Sequence, residues 1–209
     1  MIGDLRIAVP RGALFGETLD VLDRLGVDTA EVRANDRKLL FDAGQLITMR
    51  PSDVPTYVEA GAADIGITGK DVLMEQAERN VYELVDLGYG RCTMVLASVE
   101  GDDASVEALR RLGVMRVATK YPKTAAAYFE RTGRQAEIVE VKGSVELAPL
   151  TGLAEAIVDL TATGTTLREN GLVVREVIAV ATARLIANPV AHKLKAAAID
   201  DVVGRVRAG

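Results

Sequence analysis

Short apolar segments of strand character alternate with amphipathic helical segments along almost the whole chain. Residues 5–9 form the first apolar segment, and residues 14–25 repeat apolar side chains at helical spacing until Gly26 ends the pattern. Strands that alternate with helices are most simply joined by parallel crossovers, in which the helices cover the sheet. The alternation therefore predicts an α/β fold with mostly parallel sheets.

The other segments of strand character share runs of apolar or β-branched residues, and they lie at 37–41, 45–49, 64–68, 92–99, 116–119, 136–141, 156–160 and 172–186. The first two form a pair around Gly44. Further helices are predicted from a Ser52 cap to Gly61, after residues 69–71, and over 104–112 and 122–131. The last helix begins at Asn188-Pro189, and its apolar face consists of Val190, Leu194, Ala198, Val202 and Val206.

The strand and helix pattern restarts near residues 88–90, and residues 172–186 form one long β-branched stretch. We therefore predict that the chain forms two α/β lobes and passes from one to the other twice, near residues 88–90 and again around residues 175–180. We expect residues 1–89 and 178–209 to form the first lobe and residues 90–177 to form the second. The last helix then returns to the first lobe.

Composition excludes several classes of function. Of the 209 residues 49% are hydrophobic and 26% are charged, which is typical of a globular protein. A net charge of -5 and an aromatic content of 4%, without tryptophan, argue against nucleic-acid binding. No apolar run approaches the roughly 20 residues that span a bilayer, and the first apolar run is too short for a signal peptide. We therefore expect a cytoplasmic protein without membrane contact.

Residues 156–167 carry the clearest chemical pattern, in which an apolar strand ends at an acid and a loop of small and hydroxyl residues leads into a short helix. The loop consists of Thr161, Ala162, Thr163, Gly164, Thr165 and Thr166. Its backbone N–H groups and hydroxyls suit a phosphate, and Asp159 suits two ribose hydroxyls. Thr166 and Glu169 have the spacing of a capping box, which predicts the helix start. A threonine-rich turn without a ligand has the same features.

Residues 143–167, GSVELAPLTGLAEAIVDLTATGTTL, closely resemble the signature region of ATP phosphoribosyltransferases. The positions that carry the resemblance fall in order along it: Glu146, Gly152, Ala154, Ile157, Asp159, Thr163, Gly164, Thr166 and Leu167. Five more segments are similar to family segments, namely IAVPRGALF, RPSDVPTYVEAGAADIGITGKDVL, GYGRCTMVLA, VATKYPKTAAAYF and ANPVAHK. The resemblance therefore covers the whole chain.

The resemblance implies a two-lobed α/β fold like that of type II periplasmic binding proteins, with the substrates in the cleft. It implies transfer of the phosphoribosyl group of phosphoribosyl pyrophosphate to N1 of ATP, with release of pyrophosphate, as the first step of histidine biosynthesis. It further implies Mg²⁺ held mainly by the substrate pyrophosphate, without a metal site built from protein ligands.

Six basic residues adjoin predicted strands or the predicted crossing: Arg11, Arg37, Arg50, Lys70, Arg91 and Lys120. Ligands of open α/β sheets bind at the carboxyl ends of strands, and arginine pairs well with phosphate oxygens. By resemblance Arg11, Arg37 and Asp159 are expected to be catalytic. The expected substrate-binding residues are Gly12, Lys70, Arg91, Glu146 and the loop residues 161–166. Glu146 and Glu155 are candidates for contacts with magnesium or substrate, or Glu146 instead supports this loop by hydrogen bonding.

His192 is the only histidine, and its place in the first turn of the last helix favours a surface role over catalysis. Cys92 is the only cysteine, begins an apolar strand, and is expected in the core.

The family has long members with a histidine-binding regulatory domain, and this chain, which stops at Gly209, resembles the short form. That form works with a regulatory subunit similar to histidyl-tRNA synthetase, and we expect such a partner and a homo-oligomer based on dimers. Two alternative hypotheses for the function are a solute-binding or sensor protein of the same fold and a nucleobase phosphoribosyltransferase. The latter enzymes usually have two adjacent acids before the loop, whereas Leu160 follows Asp159.

Overall fold

The computed structural model describes residues 4–41 and 45–208. Its strands are β1 (Ile7–Pro10), β2 (Leu40–Phe41), β3 (Leu46–Met49), β4 (Ile65–Gly69), β5 (Tyr82–Asp86), β6 (Cys92–Val99), β7 (Met115–Thr119), β8 (Ala136–Glu140), β9 (Ala156–Thr161), β10 (Leu172–Ala181) and β11 (Ala183–Ala187). Its helices are α1 (Phe15–Arg24), α2 (Ala30–Arg33), α3 (Val54–Glu59), α4 (Lys70–Glu75), α5 (Ala104–Leu112), α6 (Pro122–Arg131), α7 (Leu147–Leu150), α8 (Thr165–Glu169), α9 (Pro189–Leu194) and α10 (Ala196–Ala208). Within this part of the chain, no helix combines the length and the apolar character needed to cross a membrane.

The chain divides into two compact units, one formed by Met1–Gly90 with Thr182–Gly209 and the other by Arg91–Ala181. The first boundary lies one residue from the predicted one, and the second lies four residues further along. The second boundary falls there because β10 stays paired with β6 as far as Ala181↔Cys92. The single stretch predicted at 172–186 therefore forms two strands, which belong to different units.

The first unit contains a six-stranded sheet with the order β2-β3-β1-β4-β11-β5. β1 lies at its centre and pairs in parallel with β3 and β4, whereas β2, β11 and β5 pair antiparallel with their neighbours. One face packs under α1 through Leu19 and Leu22, and Ile199 and Val202 of α10 join the same core. Burying each such large apolar side chain contributes about 1.5–3 kcal/mol to folding.

The second unit contains a five-stranded sheet with the order β10-β6-β9-β7-β8. β7 pairs in parallel with β8 and β9, and β6 pairs antiparallel with β9 and β10. Alternate residues of β6 enter two separate cores, with Met94 and Leu96 on one face and Val95 and Ala97 on the other. The predicted two-lobed α/β architecture is confirmed, and both sheets are mixed rather than mostly parallel.

The predicted strand at 37–41 is shorter in the structure, where β2 covers only Leu40–Phe41. The backbone N–H groups of Arg37 and Lys38 donate to Asn35 Oδ1 at 3.1 and 2.9 Å. Such a side-chain turn competes with strand pairing, so the prediction that a strand begins at Arg37 was wrong. Gly44, the predicted centre of the strand pair, lies outside the described residues.

The predicted last helix is interrupted at Lys195, where the backbone leaves helical geometry with φ -119° and ψ 31°. The Asn188 cap is confirmed, because its side chain accepts from the N–H groups of Val190 and Ala191. Because of this break, Val190 and Leu194 of α9 do not share a buried face with α10, and they are 63% and 78% exposed. The predicted continuous apolar face was therefore wrong.

The predicted Ser52 cap of α3 was also wrong. Asp53 occupies the N-cap position and makes no side-chain cap bond, while Ser52 Oγ donates to Asp53 Oδ1 at 3.3 Å. Pro55 lies in the first turn of α3.

Candidate functional site

The second unit brings the carboxyl ends of two parallel strands together. β7 and β9 pair in register as far as Thr119↔Val158, so Lys120 and Asp159 follow side by side. β6 runs antiparallel to β9, which places Arg91, just before β6, at the same end of the sheet. Arg91, Lys120, Asp159 and residues 161–166 together form what we call the β9 edge.

The loop of the β9 edge is closed by its own side chains. Thr161 Oγ1 accepts from the N–H of Gly164 at 2.7 Å, and the hydroxyls of Thr163 and Thr165 lie 2.9 Å apart. Arg168 donates to the Thr163 carbonyl oxygen at 3.0 Å. Gly164 has a φ of 72°, which favours glycine over residues with a Cβ. The loop is thus a defined turn, and its threonines are arranged before any ligand binds.

α8 begins at Thr165, with Gly164 at its N-cap position and no side-chain cap bond. The predicted capping box of Thr166 and Glu169 therefore does not form. Within the described residues, the backbone N–H groups of Ala162 and Thr163 have no acceptor. Both residues are exposed, so these N–H groups are available to an incoming anion.

Asp159 is the buried acid of the β9 edge, with only 6% of its surface exposed. Its Oδ1 accepts from the N–H of Leu160 at 2.9 Å, and its Oδ2 lies 3.6 Å from Lys120 Nζ. Burial raises the pKa of this carboxyl and the charge of Glu146 adds to the rise, while the Leu160 N–H and Lys120 act in the opposite direction.

Glu146 is half-buried at the N-cap position of α7 and makes no cap bond there. It acts on the β9 edge through its charge on Asp159. Glu155 instead lies just before β9, where Arg116 binds it through Nε at 3.0 Å and through its backbone N–H at 2.6 Å. Glu155 therefore has a structural role at the opposite end of the strand.

Arg11 lies just after β1 in the first unit, and the protein itself uses most of its donors. Its Nε donates to Thr48 Oγ1 at 3.0 Å, and its Nη2 donates to the carbonyl oxygens of Asn35 and Lys38 at 3.0 and 2.7 Å. The guanidinium also lies 5.1 Å from the centroid of the Phe15 ring. Its Nη1 lies 3.9 Å from the exposed Asp36 Oδ1, so Arg11 holds the loop before β2 against the sheet and has only this solvent-exposed ion pair to exchange for a further contact.

Arg37 and Arg50 are exposed residues of the same unit, and Arg50 directly follows β3. Arg50 and Arg11 line one pocket of ≈ 400 Å³ together with Thr48, Asp53 and Tyr57 among others. Within the described residues, no side-chain partner of Arg37 or Arg50 is found. Both guanidinium groups are therefore free to bind an anion.

Gly12 is exposed in the turn after β1, where its φ of 84° favours glycine. Lys70 begins α4, and its Nζ donates to Glu83 Oε2 at 2.6 Å. The next residue, Asp71, is a partly buried acid whose carboxyl pKa is raised by burial. Thr182 O accepts from the Lys70 N–H at 2.9 Å, which fixes the start of α4.

His192 packs its ring edge-on against Tyr82, with 5.5 Å between ring centroids. Cys92 is half-buried at the start of β6. Over residues 4–41 and 45–208, no group of three or more His, Cys, Asp or Glu side chains is arranged to hold a metal ion.

The structure adds Asp71 as a new candidate, and it raises Arg50 and Lys120 from the six basic residues considered in the sequence to candidates for the site. Each follows directly or closely after the last residue of a strand that has neighbours on both sides, namely β3, β4 and β7. A position just after a predicted strand was the feature by which the sequence could have identified them, and Arg50 and Lys120 have that position in the sequence. The expectation that Arg11, Arg37 and Arg91 share one cleft with the threonine loop stays a prediction.

Comparison with known proteins identifies relatives along the whole chain. The family model HisG: ATP phosphoribosyltransferase matches residues 50–208. A protein named ATP phosphoribosyltransferase from Rubrobacter xylanophilus is 56% identical over 205 residues, which cover 97% of this chain and 94% of that protein. The protein of the same name from Bacillus subtilis is 44% identical over 207 residues, covering 97% and 93%.

Among solved structures, one described as an ATP phosphoribosyl transferase (HisG:HisZ) complex from Thermotoga maritima matches with a TM-score of 0.81 and 33% identity, covering 98% of this chain and 97% of that chain. The Bordetella pertussis BvgS periplasmic VFT2 domain matches with a TM-score of 0.62 and 15% identity, covering 98% and 87%. The second likeness concerns the fold alone.

Proposed function

The chain belongs to the ATP phosphoribosyltransferase family, which catalyses the first step of histidine biosynthesis, and from this premise we propose that its β9 edge binds the ribose and phosphate of the phosphoribosyl donor. The observation that carries the proposal is the buried Asp159 at the end of β9, followed directly by a preformed threonine loop. An ionised carboxylate only accepts hydrogen bonds, so it suits two ribose hydroxyls.

The 5-phosphate of the donor binds the loop in this proposal. Ala162 and Thr163 supply backbone N–H groups, and the threonine hydroxyls supply further donors. Thr161 already closes the turn through Gly164, so the loop needs little reordering when it binds. The negative charge of Glu146 acts on Asp159 and limits the affinity of this site for negatively charged ligands.

The reaction we propose is attack of adenine N1 of ATP on C1 of the ribose, with pyrophosphate leaving from the opposite face. Adenine N1 carries a free lone pair at neutral pH, so the protein needs no general base to activate it. The residues then act by aligning the two substrates and by stabilising the negative charge of the departing pyrophosphate. We assign Arg11, Arg37 and Arg91 to phosphate or pyrophosphate contacts. Lys70 and Gly12 are proposed as further substrate-binding residues, and Arg50 is added to this group.

Mg²⁺ is proposed to arrive bound to pyrophosphate oxygens, where it would neutralise part of the charge on the leaving group. The residues assigned to pyrophosphate contacts fit this arrangement, because guanidinium groups bind phosphate oxygens and offer Mg²⁺ no oxygen ligand, which the pyrophosphate and water would supply. Asp159 and the threonine loop orient the ribose, and the arginines hold the phosphates.

The partner we propose is a histidyl-tRNA-synthetase-like regulatory subunit, with this chain as part of a homo-oligomer based on dimers. The support comes from the Thermotoga maritima structure, which is described as a HisG:HisZ complex and is 33% identical over 98% of this chain. Regulation by histidine couples two sites, and in this proposal the second site lies on the partner.

The catalytic proposal is tested by mixing the purified chain with ATP, phosphoribosyl pyrophosphate and Mg²⁺, with and without the regulatory subunit. We expect phosphoribosyl-ATP to form and pyrophosphate to be released in equal amounts. The Asp159→Asn variant should form far less product while its circular dichroism spectrum stays unchanged. Product formation at the wild-type rate by this variant would contradict the assignment of Asp159.

The partner proposal is tested by adding histidine over the micromolar to millimolar range to the same assay. We expect inhibition only when the regulatory subunit is present. Strong inhibition of the chain alone would place a histidine site on this chain and contradict the proposal.

A further inference from the structure

Lys120 forms an ion pair with Asp159 whose place is set by strand register. β7 and β9 pair in parallel up to Thr119↔Val158, so the two side chains leave the sheet next to each other. The distance from Lys120 Nζ to Asp159 Oδ2 is 3.6 Å, which is an ion pair without the geometry of a hydrogen bond. Lys120 therefore acts on the carboxylate of Asp159 through its charge and not through a hydrogen bond.

The environment of Asp159 otherwise disfavours its charge. The side chain is 9% exposed, whereas that of Lys120 is 41% exposed. Burial and the negative charge of Glu146 both raise the pKa of Asp159, and Lys120 lowers it together with the N–H of Leu160. The balance between protonated and ionised Asp159 thus depends on two neighbouring charges of opposite sign.

Each element packed around Asp159 contributes a different kind of group. β7 ends at Lys120, α7 begins after Glu146, and Arg91 lies ahead of β6 at the same edge. β6 contributes Val95, the register partner of Asp159, and α8 contributes the buried Leu167.

We propose that Lys120 is a positioning residue of the phosphoribosyl transfer, which keeps the Asp159 carboxylate charged and directed towards the ribose hydroxyls of the donor. This inference rests on the proposed ribose site at the β9 edge. A carboxylic acid would donate one of the two hydrogen bonds that the ribose needs it to accept, so a protonated Asp159 binds the donor poorly. Lys120 thereby extends donor binding to lower pH.

The test combines two measurements on the full chain between about pH 5 and about pH 8. The first is the carboxyl titration of Asp159 by ¹³C NMR without substrate, assigned through the signal lost in Asp159→Asn. The second is the affinity for phosphoribosyl pyrophosphate by calorimetry over the same pH range. The variants are Lys120→Met, Lys120→Arg and Glu146→Gln. Lys142→Met is the matched control, because Lys142 is 89% exposed and pairs with Glu140 instead.

In Lys120→Met the Asp159 pKa should rise, and the pH below which donor affinity falls should rise with it. Lys120→Arg should restore both quantities, Glu146→Gln should move both to lower pH, and Lys142→Met should change neither. An unchanged Asp159 pKa in Lys120→Met would overturn the inference, and so would a shifted pKa without a shift in the affinity profile. Failure of the wild-type chain to bind the donor at any pH would instead overturn the proposed function.

Discussion

The two units differ in how free their polar groups are at the ends of the central strands. At the β9 edge, Asp159 and the threonine loop are held by strand register and short local bonds, which leave acceptors and N–H groups available. In the first unit, Arg11 makes three hydrogen bonds to its own loop and sheet, and Lys70 is paired with Glu83. Arg11 and Lys70 thus serve the structure of the first unit, in which Arg50 remains open, whereas the threonine loop of the second unit keeps its binding groups open.

This difference has an energetic consequence for substitutions. Removing a group that the protein already uses should reduce both the stability and the activity, because its former partners lose their hydrogen bonds. Removing a group that is open to solvent should reduce the activity alone. The two units can therefore be distinguished by measuring unfolding and catalysis on the same variants.

The largest effect is expected at the β9 edge, from Asp159→Asn. The change keeps the shape of the side chain and removes the charge that accepts the ribose hydroxyls. We expect kcat/KM to fall by about 100-fold, or about 3 kcal/mol, with little change in Tm. Steady-state kinetics and thermal unfolding check this. The control is Glu140→Gln, because Glu140 is an exposed acid of β8 in the same unit. An equal fall of kcat/KM in both variants would show that Asp159 has no special role.

The second prediction compares one arginine from each unit. Arg11→Ala and Arg91→Ala should each cost about 1.5–3 kcal/mol in transition-state stabilisation, the range for charged hydrogen bonds. Only Arg11→Ala should also lower the free energy of unfolding, by about 1–3 kcal/mol, because Thr48 and the carbonyl oxygens of Asn35 and Lys38 lose the hydrogen bonds that Arg11 donates. Urea unfolding of both variants decides the matter. If Arg11→Ala had the same free energy of unfolding as the wild type, the proposed structural role of Arg11 in the first unit would be contradicted.

The third prediction concerns the loop backbone. Gly164→Ala forces an L-residue into a φ of 72° and places its Cβ 3.0 Å from Arg168 Nη1, which can move. Gly133→Ala meets the same strain at φ 68° beyond α6, where a Cβ contacts nothing. Both should lose about 1 kcal/mol of stability. Only Gly164→Ala should weaken donor binding, and a similar loss of affinity in Gly133→Ala would show that general destabilisation is the cause.

The smallest effect is expected for His192→Ala in the first unit. The change removes the edge-on contact with Tyr82, which is worth about 0.5–1 kcal/mol of stability. We expect kcat/KM to stay within about twofold of wild type at all pH values where the protein is folded. A lost limb in the pH profile of kcat would instead assign His192 a part in catalysis.

The sequence predicted the fold well where one local pattern decides the structure. The alternating strands and helices gave the α/β architecture, and Asn188-Pro189 gave the start of α9, because cap chemistry acts within a few residues. The last helix was predicted without its break, since Lys195 is drawn to Asp64, with Nζ 3.0 Å from Oδ2 across 131 positions of sequence. Long-range contacts of this kind leave no periodic signal.

The candidate site was predictable in part for a similar reason. Asp159 and its loop are contiguous, so their pattern is visible in twelve consecutive residues, 156–167. The pairing of Lys120 with Asp159 depends on which strands are neighbours, and only the sheet order provides that. The internal bonds of Arg11 likewise depend on how the loop before β2 folds back, and nothing in the turn sequence Pro10-Arg11-Gly12 indicates them.

An NMR titration of the ¹⁵N-labelled chain with ribose 5-phosphate tests whether the β9 edge binds a ribose phosphate. This ligand lacks the pyrophosphate, so it reports on the proposed ribose and 5-phosphate site alone. We expect saturable chemical-shift changes that are largest at the backbone amides of Ala162, Thr163 and Gly164, and we expect these changes to disappear in Asp159→Asn. Saturable binding that leaves the amides of residues 161–166 unshifted would contradict the proposed binding at the β9 edge.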